Sequence, residues 1–78
     1  MNRDFADGRY TTRAVSNNQE GYTGLELFRT RQEKGERVAQ ILFWDACGQF
    51  FFETFNTDVP LHIVEELIAE AKTTIKIR

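Results

Sequence analysis

Apolar residues along this chain alternate or run in short stretches to about residue 55, and from there recur every three to four positions. That single change of period divides the chain into a strand-forming part and one helix. Residues 9–16 have strand propensity but a weak apolar pattern, which suits an edge strand or a loosely held arm. Residues 22–31 set Leu25 and Leu27 on one face and Glu26 and Phe28 on the other. Residues 36–44 are apolar on both faces over much of their length, as a central strand requires, and residues 49–55 carry phenylalanine on both faces. The segments Asn17–Gly21, Gln32–Gly35 and Asp45–Gly48 separate these stretches. Each ends in a glycine able to take φ > 0, as in a type I turn closed by a left-handed residue.

The pattern predicts an α+β domain spanning residues 1–78. Its sheet is an antiparallel β-meander of three to four strands, followed by one C-terminal helix packed on one sheet face. Residues 1–8 are expected to be a flexible N-terminal segment. The helix is expected over about residues 60–74, with Leu61, Val64, Leu67, Ile68, Ala71 and Ile75 as its apolar stripe. Asp58 is the expected N-cap, and Pro60 falls where a first turn tolerates proline. The helix end is open, because the β-branched residues of Thr73–Ile77 suit either fraying or a short strand.

Grouping alternate strand residues gives one fully apolar set, Leu25, Leu27, Ala39, Ile41, Phe43, Phe50 and Phe52, which is expected beneath the helix. The other set mixes Glu26, Phe28, Val38, Gln40, Leu42, Trp44, Phe51, Glu53 and Phe55. A helix about 10–12 Å across cannot cover four strands spaced about 4.8 Å apart, so even the covered face is only partly covered. The aromatic residues of the second set then need a partner. Self-association as a homodimer, coverage by the N-terminal segment, and an unidentified protein partner are the three solutions. The first is favoured, with Phe28, Gln40, Leu42, Trp44, Phe51, Glu53 and Phe55 as the interface and Gln40 and Glu53 setting polarity and register.

Composition narrows the remaining chemistry. At 78 residues the chain buries only roughly 60–65% of the surface its unfolded form exposes, so association would add useful stability. The lone cysteine, Cys47, and lone histidine, His62, offer no zinc-ligand spacing, and a single thiol suits a reducing, cytoplasmic setting. Asp45, Cys47 and His62 would be the only nucleophilic set, but a meander holds the Cys47 turn far from the helix start. No catalytic residue, cofactor or metal is therefore expected, and the solvated Glu65, Glu66 and Glu70 add none. No apolar run marks a signal peptide or reaches the length of a membrane span. Residues 1–37 carry seven Lys/Arg against six Asp/Glu, and residues 38–78 carry three against six, which disfavours nucleic acid. The alternative reading is a weak single-stranded nucleic-acid binder that adds Arg29, Arg31 and Arg37 to the aromatic face.

Overall fold

A computed structural model describes residues 1–75. Five antiparallel strands are followed by one helix: β1 (Asn2–Phe5), β2 (Gly8–Asn17), β3 (Tyr22–Arg31), β4 (Lys34–Trp44), β5 (Gln49–Thr54) and α1 (Leu61–Thr74). Each strand pairs with its sequence neighbour, so the sheet order is β1-β2-β3-β4-β5. The α+β meander is as the pattern predicts, with five strands instead of three to four. The added strand comes from the segment read as a flexible arm. Asn2–Phe5 pairs with β2 from Asn2↔Thr11 to Phe5↔Gly8 and lies at the sheet edge, so it does not fold across the second face.

Two of the expected turn glycines take left-handed φ, +79° at Gly21 and +63° at Gly48. The β3–β4 turn differs. Arg31 pairs with Lys34, and Gln32 and Glu33 both have positive φ, the two-residue geometry whose twist matches the flanking strands. Gly35 consequently lies inside β4 opposite Thr30.

A bulge decides which side chains of β4 point where. Leu27 pairs with Ala39 but Phe28 with Arg37, leaving Val38 as an extra residue. Val38 and Ala39 are both fully buried in one core, although simple alternation puts Val38 on the second face. Beyond the bulge the alternation resets, sending Arg37 to the open face and Glu36 to the helix face opposite Arg29.

The helix stripe is Ile63, Leu67, Ala71 and Ile75, spaced four residues apart and buried against Tyr10, Leu25, Leu27, Val38, Ala39, Ile41 and Phe43. Leu61 and Ile68 from the expected stripe are 74% and 38% exposed. Asp58 is not the N-cap. Pro60 holds that position, no side chain caps the helix, and the Pro60 carbonyl accepts from the Ile63 and Val64 amides at 2.9 and 3.1 Å. The helix ends at Thr74 with extended Ile75, and the expected alternation at Lys76 and Ile77 lies outside the described residues.

Polar ties fix the helix laterally. Arg3 donates to Glu66 at 2.7 Å and Thr12 to Glu70 at 2.6 Å. Arg29, only 4% exposed, donates to Thr57 Oγ1 at 2.7 Å, the Asp58 carbonyl at 3.0 Å and Glu36 at 3.0 Å. Hydrogen bonds with Tyr10 and Glu36 hold its guanidinium pKa above the ordinary value against the opposing effect of burial. Among the described residues, every hydrogen-bond tie from an α1 side chain to the sheet reaches β1 or β2, and Arg29 of β3 holds the loop before α1. None of these ties links α1 to β5.

Gly24 carries a steric constraint. A Cβ there would collide with the Ile41 carbonyl oxygen and the Leu42 side chain, which lies across the glycine. Gly24→Ala should cost about 1–3 kcal/mol, seen as a lower urea midpoint with an unchanged denaturant slope.

Candidate interaction surface

The face of the sheet turned away from α1 is built around Glu26. In register across three strands stand Arg13, Glu26 and Gln40, and Glu26 is only 6% exposed. Arg13 Nη2 donates to Glu26 Oε1 and Arg37 Nη1 to Glu26 Oε2, each at 2.8 Å. The same guanidiniums lie over aromatic rings, Arg13 5.3 Å from the Phe28 centroid and Arg37 4.4 Å from that of Phe55. One carboxylate thus anchors two cations, and each cation caps one ring. Burial pushes the Glu26 carboxyl up, but the hydrogen bonds from Arg37 and Arg13 outweigh it and the net shift is downward.

Nearer β5 the face becomes apolar. Gln40 Nε2 donates to Glu53 Oε1 at 2.8 Å, and Leu42 stands opposite Phe51. Trp44 packs on its cross-strand neighbour Tyr22 with ring centroids 5.0 Å apart. The structure therefore brings Phe28, Gln40, Leu42, Trp44, Phe51, Glu53 and Phe55 to the same side, as the alternation implied. Arg13 and Tyr22 also belong to this side and were missed: the pattern of residues 9–16 is too weak to assign a face to Arg13, and Tyr22 sits at the very start of its strand, next to the turn. The exposures are unequal. Phe28, Leu42, Trp44 and Phe55 are half-buried, whereas Phe51 is 53% exposed.

Exposure concentrates at one edge. Phe52, expected beneath the helix, does lie on the helix face but is 46% exposed, because α1 sits over β3 and β4 and stops short of β5. A cleft of about 210 Å³ opens there, lined by Ile41, Phe50, Phe52, Ile68, Ala71 and Lys72. Among the described residues, three of the four large exposed hydrophobic side chains, Phe51, Phe52 and Ile68, lie in or beside β5. The two sheet edges contrast. The β1 edge, Asn-Arg-Asp-Phe, is short and charged, as protected edges are, whereas β5 reads Gln-Phe-Phe-Phe-Glu-Thr.

The three arginines of the nucleic-acid reading are not gathered. Arg29 is buried on the helix face, Arg31 lies beside Glu36 at 3.6 Å, and Arg37 alone reaches the open face, paired with Glu26. Cys47 is exposed in the β4–β5 turn. His62 stands at the opposite edge against Phe5, with ring centroids 6.0 Å apart, and 3.6 Å from Glu66. Among the described residues no group of three His, Cys, Asp or Glu side chains is placed to hold a metal, and no helix is long and apolar enough to cross a membrane.

No protein-family model matches the chain, and neither does a curated protein or a solved structure.

The lowered carboxyl pKa of Glu26 makes its pairing pH-dependent. A depressed pKa contributes stability above the ordinary value of 4.5, lost as pH falls through the folded value. Glu26→Gln should cost about 1–3 kcal/mol near neutral pH, because the amide keeps one acceptor oxygen and turns its NH2 toward the second guanidinium, leaving that arginine without its partner. The gap between variant and wild type, measured by urea unfolding, should close progressively as pH falls below the ordinary value of 4.5 and through the lower folded value.

Proposed function

We propose that this chain is a non-enzymatic interaction module that associates with itself through the β5 side of its sheet. The observation that carries this reading is the clustering of Phe51, Phe52 and Ile68 around the β5 edge, which none of the described residues pairs, beside an apolar cleft. Contiguous exposed apolar surface of this kind on a small domain marks an association site. The open face continues the same surface through Leu42 and Trp44, while Gln40 and Glu53 give it a polar margin. The guanidinium caps on Phe28, beside β2, and on Phe55, just past the end of β5, reduce the aromatic area offered there, so the contact centres on Phe51 and its neighbours in β5. A nucleic-acid role has less support, since Arg29 is buried on the other side and Arg37 is already paired. The lone exposed thiol of Cys47 fits a reducing, cytoplasmic setting.

Light scattering over a concentration series tests the proposal. The wild type should approach twice the chain mass of 9.1 kDa with rising concentration. Phe51→Glu, which puts a charge at the centre of the surface, should remain at the chain mass while keeping its circular dichroism spectrum. A wild type that stays at the chain mass at every concentration overturns the reading.

A further inference from the structure

Resting on that reading, the geometry points to one arrangement. Two copies pair their β5 strands antiparallel about a two-fold axis through Phe51, forming one continuous ten-stranded sheet with both helices on the same side.

The β5 ladder limits the possibilities. The Phe55 amide donates to the Val38 carbonyl at 3.0 Å, and the β4–β5 register runs from Ala39↔Thr54 to Trp44↔Gln49. In an antiparallel ladder the hydrogen-bonding direction alternates, so Gln49, Phe51 and Glu53 turn their amides toward β4. Phe50, Phe52 and Thr54 turn theirs outward, onto the open edge. A second β5 can exchange hydrogen bonds only by opposing outward residues to outward residues. That excludes registers in which Phe51 opposes Phe52, the ones that would put the two helices on opposite faces.

Two central registers remain, and side-chain chemistry separates them. Centred on Phe51, the pairing sets Phe50 against Phe52 of the second copy on the helix face, twice by symmetry. On the open face it sets Phe51 against Phe51 and Gln49 against Glu53 of the second copy, again twice. Every ring meets a ring, and every carboxylate meets an amide that can donate to it. Centred on Phe52, the pairing would oppose Phe51 to Glu53 and Phe50 to Thr54, placing a carboxylate and a hydroxyl against rings. The sequence Gln-Phe-Phe-Phe-Glu is thus self-complementary about its central phenylalanine.

The helices leave room for this. Each lies over β3 and β4, so the two axes in the joined sheet are about four strand spacings apart, roughly 19 Å. A helix is about 10–12 Å across. The interval is floored by Phe50 and Phe52 and flanked by Ile68 of each copy, so the cleft beside β5 becomes one shared apolar trough.

Cysteine cross-linking reads the register directly. In a Cys47→Ser background, the double variant Gln49→Cys/Glu53→Cys sets the thiol introduced at position 49 of one copy opposite that at position 53 of the other, as a non-hydrogen-bonded pair. Their Cα atoms would be about 4.5 Å apart, within disulfide reach. The double variant keeps all three phenylalanines of β5 and should form a covalent dimer under mild oxidation. The single variants Gln49→Cys and Glu53→Cys should not, because each new thiol would lie about 13 Å from its equivalent in the second copy. Pairing centred on Phe52 does not oppose positions 49 and 53. Stacking of open faces holds the backbones about 10 Å apart, beyond disulfide reach. A protein that associates by light scattering but whose double variant does not cross-link overturns the edge register and leaves self-association standing. A protein at the chain mass at every concentration overturns both.

Discussion

One helix has to cover a sheet five strands wide, and it covers the middle. The sheet spans about 19 Å between its outer strand axes, against a helix diameter of about 10–12 Å. Where the helix lies is set by polar ties as well as by its apolar stripe, since Ile63, Leu67 and Ala71 would find apolar strand residues anywhere from β3 to β5. Arg3–Glu66, Thr12–Glu70 and the buried Arg29 with Thr57 and Asp58 all draw α1 and its leading loop toward β1–β3. The large apolar area left over lies toward β5, where Phe52 stays exposed on the helix face.

The bulge at Val38 makes this asymmetry possible. One extra residue lets β4 present Val38, Ala39, Ile41 and Phe43 to the core while Arg37 and Glu36 exchange the faces that regular alternation would give them. Glu36 thereby reaches Arg29 on the helix side. Arg37 reaches Glu26 on the open side, where it completes the double pairing and caps Phe55. The open face is consequently divided between a satisfied ionic centre over β2–β4 and an unsatisfied apolar margin at β5.

Much of this was legible in the sequence. The alternation of Leu25, Leu27, Ala39, Ile41 and Phe43 identified the core face, and the change of period after Phe55 identified the helix to within a residue. Interactions that leave no periodic trace were not legible. Asn2–Phe5 has no apolar pattern and is a strand because β2 offers it a partner. Val38 reads as an outward residue until the bulge is known. Phe52 reads as core, and its exposure follows from the lateral position of α1, set by ties between residues as far apart as Arg3 and Glu66. Arg29 reads as a surface cation near a hairpin, and only the folded arrangement of Tyr10, Glu36, Thr57 and Asp58 makes it a buried anchor.

The helix leaves the β5 edge unprotected, and in the proposed assembly a second copy covers it. Amide hydrogen exchange at low and high protein concentration tests this at the atoms concerned. The Phe50 and Phe52 amides should exchange rapidly in dilute solution and slow markedly as concentration rises. Those of Phe51 and Glu53, already bonded to β4, should be protected at both. Rapid exchange of Phe50 and Phe52 at every concentration would contradict the account.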